Sequence, residues 1–151
     1  MALKFNNLLL CDLGGLMIRF LRVRKKRKGT MHYLKGVFRG KVKQCFGGIE
    51  SAIGKLSVGD DVYLSPEGLA GDECADKRHH GGLERALHQY PSEHYAYWRK
   101  KYNLGLQWQA PGMGENLSST GMTEETVCVG DQYRWGEAII EISQPRSPCY
   151  R

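Results

Sequence analysis

Four short segments pair glycine with polar or reactive side chains, and the sharpest is SQPRSPCY, residues 143–150. Cys149 follows Pro148, Pro145 lies three residues before that proline, and Arg146 is close by in sequence. Each proline fixes a φ angle and removes a donor, so the loop is stiff. A stiff loop holds one side chain in one orientation, as a metal ligand or a nucleophile requires. A nearby cation lowers a thiol pKa and favours the thiolate, the form that binds metal or attacks. Taken alone, the pattern suits a ligand or nucleophile and a buried structural cysteine about equally.

The segment HHGGLERAL begins at His79. Gly81 and Gly82 after His80 permit close backbone approach to a ligand, and successive N–H groups there can form an anion-binding nest. Arg85 can offer a bidentate guanidinium to a phosphate. The plainer alternative is a tight turn leading into a helix. In GLAGDECAD, residues 68–76, Asp72 and Asp76 suit loop ordering through side-chain hydrogen bonds, or proton relay. Asn116 of GENLS can hydrogen-bond a heteroaromatic ligand or shape a turn. Zinc held by Cys74, His79 and His80 uses the right ligand types, but their spacing fits no common zinc pattern.

These loops need a scaffold. Residues 36–44 alternate well enough for a strand, and residues 62–64 and 138–142 read as further strands. Gly136-Glu137 suits a turn between Tyr133-Arg134-Trp135 and Ala138-Ile139-Ile140. Short strands with glycine turns favour a mainly β architecture, barrel or sandwich, with one or two helices. One helix is expected with Pro91 at its first position. Tyr95, Trp98 and Tyr102 would share one face, and Lys100 and Lys101 would sit where carbonyl dipoles favour cations. A shorter helical turn is expected from Thr123, a good N-cap residue.

Length and charge bound the rest. At 151 residues the chain suits one domain. The net charge of +6 is unevenly spread: residues 1–30 carry +7 and the remainder −1. A nucleic-acid or membrane-surface reading therefore applies to the arm and not to the body. Residues 1–30 read as a basic extension outside the fold, and 31–151 as the domain. The apolar stretch of the arm, broken by Asp12 and Arg19, is too interrupted to span a bilayer. The five cysteines are widely spaced with no CxxC pair, which points to a reducing, cytoplasmic setting.

Taken in order, SAIGKLSV, GLAGDECAD, HGG with RAL, YPSEHYAYW, GENLS and GMTEETVCVGDQYRWGEAIIEISQPRSPCY resemble the MOSC domain, the C-terminal domain of molybdenum-cofactor sulfurases. The stand-alone bacterial branch of that family is associated with resistance to N-hydroxylated purines. Each motif alone is weak, whereas the ordered set ending in QPRSPC is specific. The resemblance runs from about residue 35 to 151. It implies a β-rich, barrel-like fold binding a molybdopterin cofactor, with Cys149 as the thiolate on molybdenum. Soft metals in dithiolene surroundings suit a thiolate. Arg146, His80, Gly81, Gly82, Arg85 and Asn116 would line the pterin and phosphate pocket, and His80 or Asp72 would pass protons. The implied activity is reduction of N-hydroxylated bases or amines, with electrons from a separate flavoprotein or iron–sulfur reductase. The rival readings are a cofactor or persulfide carrier and an inactive fragment. Relatives continue past the cysteine, whereas this chain stops two residues after it, so the fold is expected to be incomplete at its C-terminus.

Overall fold

The computed structural model describes residues 2–6, 16–18, 32–59 and 61–146. The chain is mainly β. Its strands are β1 (Ala2–Asn6), β2 (Leu16–Ile18), β3 (Tyr33–Arg39), β4 (Lys43–Gln44), β5 (Glu50–Ser51), β6 (Leu56–Ser57), β7 (Val62–Ser65) and β8 (Gly68–Leu69). After a one-turn helix α1 (Lys77–His80) come β9 (Leu87–Pro91), helix α2 (Glu93–Tyr102), β10 (Leu117–Thr120), β11 (Gln132–Trp135) and β12 (Ala138–Arg146). Seven strands form one open sheet in the order β11-β12-β1-β9-β10-β3-β6. Its pairs are antiparallel apart from β9 and β10. A small sheet orders as β2-β7-β8, and β4 pairs with β5.

The β11–β12 hairpin follows the sequence pattern. Gly136 takes φ 62 in its turn, a conformation that costs glycine little. Tyr133 and Trp135 are buried while Gln132 and Arg134 are exposed, and Ala138, Ile140 and Ile142 are buried on the next strand. This two-residue period puts one face of the hairpin into the core. There it packs with Val37, Leu64, Leu87 and Leu117.

Elsewhere the sequence expectations need correction. The strand expected over residues 36–44 breaks after Arg39, because backbone groups that would continue the ladder bind a loop instead. Gly40 N donates to Asp72 Oδ1 at 2.7 Å, and Val42 N donates to Glu73 Oε2 at 2.7 Å. Pro91 ends β9 rather than starting α2, and Ser92 takes the N-cap place. The aromatic face of α2 is graded: Tyr95 is buried, Trp98 is half-buried and stacks on Tyr102, and Tyr102 is exposed. The basic last turn, Arg99 to Lys101, stands as expected. The turn expected from Thr123 is in place, closed by Thr126 N and Val127 N donating to Thr123 O. Two strands fall inside the basic segment expected to lie outside the fold. The backbone of β1 pairs with both β9 and β12, and that of β2 pairs with β7. Charge composition reports on side chains, and it does not decide where a backbone pairs.

Candidate functional site

Strand β9 is buried along its whole length and contributes to two apolar clusters, Leu87 to one and Tyr90 to the other. Leu87 belongs to the main core, and Gln89 faces the same way, donating to Ser119 Oγ at 2.7 Å. His88 and Tyr90 alternate to the other face, where their rings meet edge to face. Tyr90 packs there with Tyr95 of α2, alongside Trp98, Trp108 and Met113. The polar site forms on this second face.

Arg146 reaches the site because β12 is bulged. Opposite β1, Phe5 pairs with Ile142 but Lys4 pairs with Gln144, so Ser143 is the extra residue. An extra residue reverses the alternation of side chains beyond it. Ile142 therefore points into the core, while Arg146, four residues on, meets His88 on the opposite face. The Ser143 hydroxyl donates to Glu84 O at 2.6 Å, tying the loop before β9 to the bulge.

The guanidinium is held from two sides. Arg146 Nη1 lies 2.7 Å from His88 Nδ1 and donates to Met113 O at 2.9 Å. Arginine only donates, so the imidazole must present a lone pair to it. The Met113 peptide is itself fixed. Its N–H lies 3.1 Å from Glu115 Oε2 and 3.0 Å from Tyr95 Oη, and Tyr95 donates its hydroxyl proton to Glu115 Oε1 at 2.6 Å. Glu115 is fully buried. Burial pushes its carboxyl pKa up, against the pull of Tyr95, the Met113 N–H and the Arg146 cation. Burial also raises the Tyr95 phenol, as does the Glu115 carboxylate beside it.

Behind His88 lies a second polar group. Asn116 Oδ1 accepts from His88 N at 3.1 Å, and Asn116 N donates to His88 O at 2.7 Å. The Asn116 side-chain nitrogen donates to Phe38 O at 3.2 Å and to Asp72 Oδ2 at 2.7 Å. Asp72 Oδ1 accepts from Gly40 N and from Lys55 Nζ, an ion pair whose side chains are 14% and 6% exposed. Gly40 has no room for a side chain, because a Cβ there would lie 2.9 Å from Ala52 O.

Of the residues singled out by sequence, the structure thus joins Arg146, Asn116 and Asp72 through His88. Both N–H groups of the Asn116 amide are committed to protein partners, and both Asp72 oxygens are engaged. The His80, Gly81, Gly82 and Arg85 segment forms its own loop. Asp76 caps α1 by accepting from His79 N at 3.2 Å, with its other oxygen 2.9 Å from His79 Nδ1. That bond holds the Asp76 carboxyl below its ordinary pKa. His80 N donates to Asp76 O at 2.9 Å, and Arg85 Nη1 donates to His79 O. Gly82 takes φ 99, with open space where a Cβ would stand. No three metal-ligating side chains converge among the described residues, and Cys74 Sγ donates to Asp76 O at 3.4 Å. Cys149 lies outside the described residues. Sequence reasoning missed Lys55, His88, Tyr95 and Glu115. Lys55 lies within the quoted SAIGKLSV, and a lysine between apolar residues in a glycine-rich loop was the signal to follow.

Comparison with known proteins gives this site a context. Residues 76–151 match the MOSC domain. The protein YiiM of Escherichia coli is 48% identical over 122 residues, covering 80% of this chain and 54% of that protein. A protein of Gibberella moniliformis named simply a reductase is 41% identical over 122 residues, covering 74% of this chain and 20% of its own length. The crystal structure of YiiM from Escherichia coli superposes with a TM-score of 0.56 at 41% identity, over 76% of this chain and 48% of that one. The chain thus spans about half the length of YiiM. The ordered motifs, the β-rich sheet and these matches agree, and the chain belongs to the MOSC domain family.

Proposed function

We propose that this chain binds a molybdenum cofactor and forms part of a reductase acting on N-hydroxylated bases or amines. MOSC domains are associated with that cofactor, and one relative carries the name reductase. The observation that carries the reading is the fixed guanidinium of Arg146, three residues before Cys149 in the chain. A cofactor bearing a phosphate needs positioned cations and N–H donors. The residues present fit that need: Arg146 is half-buried and pinned on two sides, and Gly82 leaves open space beside its backbone.

In this reading Cys149 holds the metal as a thiolate. Arg146 and Arg85 neutralise the phosphate, and the Gly81-Gly82 backbone approaches it closely. His80, half-buried beside that loop, passes protons. When bound, the cofactor supplies two-electron redox chemistry; the protein supplies position and electrostatics. The overall conversion takes an N–OH group, two electrons and two protons to N–H and water, breaking the N–O bond. The electrons come from a separate flavoprotein or iron–sulfur reductase. No helix among the described residues is long and apolar enough to cross a membrane, and we assign the chain to the cytoplasm.

Elemental analysis of the purified protein tests the reading. Stoichiometric molybdenum in the wild type and its loss in Cys149→Ser are expected. Equal molybdenum in both proteins removes Cys149 as the ligand. Turnover of an N-hydroxylated purine with a reduced donor separates an enzyme from a carrier, which would show only stoichiometric sulfur on Cys149.

A further inference from the structure

The buried ion pair of Lys55 with Asp72 has no part in the binding scheme above, yet it stands at the end of an unbroken line of contacts leading to Arg146. Lys55 Nζ donates to Asp72 Oδ1, and Asp72 Oδ2 accepts from Asn116 Nδ2 at 2.7 Å. Asn116 Oδ1 accepts from His88 N at 3.1 Å, and the His88 ring accepts from Arg146 Nη1 at 2.7 Å. We propose that Lys55 is a positioning residue that acts through Asp72, Asn116 and His88 to hold the Arg146 guanidinium in place.

The chemistry of each member supports the line. A primary amide has two N–H donors and one oxygen. Asn116 spends its donors on Phe38 O and Asp72, which leaves the oxygen aimed at His88 N in one orientation only. Rotating the amide by half a turn would bring its oxygen against the Asp72 carboxylate, lone pair to lone pair. The negative charge on Asp72 therefore sets the sense of the Asn116 amide, and Lys55 keeps that charge in place in a nearly closed space. Asn116 also fixes His88 on both sides of one residue, through its own N–H to His88 O at 2.7 Å. With the β9 backbone clamped there, the imidazole presents its lone pair to Arg146 at a constant point. Gly40 completes the enclosure: its N–H goes to Asp72, its carbonyl accepts from Glu73 N at 2.8 Å, and a Cβ would crowd the Lys55 stem at 3.1 Å. Asp72 and Asn116 then act behind the binding surface and do not touch the bound group.

The purpose assigned to this line rests on Arg146 binding the cofactor, but the line itself can be tested without cofactor. Nitrogen-15 NMR of the cofactor-free protein reads the Arg146 guanidinium, assigned by its disappearance in Arg146→Lys. Two fixed acceptors on one Nη slow its rotation, so separate Nη signals are expected in the wild type. Lys55→Met, and the charge-balanced Lys55→Met/Asp72→Leu, should collapse them to the averaged signal of a free arginine while the Trp135 indole signal stays in place. Molybdenum affinity should fall by about 10–100-fold in the same variants, the usual size of a loss behind the ligands. Separate Arg146 signals in a folded double variant would overturn the proposal. Loss of the fold in both variants would overturn it too, since Lys55 would then serve stability alone. A wild type that shows the signature but never retains molybdenum sinks the cofactor reading and leaves the positioning role standing.

Discussion

The two polar regions that the glycine-bearing motifs form are built in opposite ways. The floor made by Lys55, Asp72, Asn116 and His88 draws on four separate stretches of chain and turns its polar groups inward onto one another. Asn116 is 4% exposed, and the glycine that closes the floor has no space to spare. The side chains of Asp76, His79 and Arg85 bond within their own loop, over three to six residues, and His79 and Gly82 stay exposed, while the Ser143 hydroxyl on Glu84 O ties the loop to β12. Both regions come from motifs that look alike on paper, glycine beside Asp, Asn or His. What separates a brace from a contact surface is whether the polar groups are shut away among partners from distant parts of the chain or left at the surface.

The largest expected effect follows from breaking the floor. Asp72→Ala leaves Lys55 buried without its counter-charge and frees Asn116 to rotate. Removing one member of a buried pair typically costs about 3–5 kcal/mol. Urea unfolding measures it, and a loss below about 1 kcal/mol would mean that the floor is no brace.

A smaller effect should come from Glu115, which steadies Met113 beneath Arg146. Burial raises its pKa above the usual 4.5 in the folded chain, so folding favours the protonated acid. The associated stability is full below pH 4.5 and is lost as the pH climbs through the raised value. Glu115→Gln removes that titration. Unfolding free energies measured from pH 4.5 upward should fall more steeply for the wild type than for the variant, and parallel curves would contradict the burial assignment.

The sequence made the β11–β12 hairpin legible because its signal is local: two residues of turn and a period of two on either side. It made α2 legible for the same reason, apart from its start. Pro91 suits a first helical turn, but it also suits the end of a strand, and the parallel pairing of β9 with β10 decided the matter. The floor was legible only in part. Asp72, Asn116 and Arg146 stood out as chemical residues, but nothing in one dimension shows that Lys55 and Asp72, seventeen residues apart, share a closed space. Nor could the bulge at Ser143 be read, since it appears only when β12 is set against β1. The basic count of residues 1–30 likewise hid the strands within them.

The smallest effect on stability should come from Arg85, and it separates the two regions most sharply. Its guanidinium donates to His79 O within the loop, in an exposed setting where water can take its place. Arg85→Ala should therefore shift unfolding by no more than about 0.5 kcal/mol, as surface substitutions usually do. If Arg85 meets the cofactor phosphate, the same change removes a charged hydrogen bond worth about 1.5–3 kcal/mol, or roughly 10–100-fold in cofactor affinity. Urea unfolding beside molybdenum content reads both quantities. Asp72→Ala should lose stability along with cofactor, whereas Arg85→Ala should lose cofactor with its stability intact. Unchanged molybdenum in Arg85→Ala would show that the loop, despite its open glycine, does not face the bound group, and the anion site would then rest on Arg146 alone.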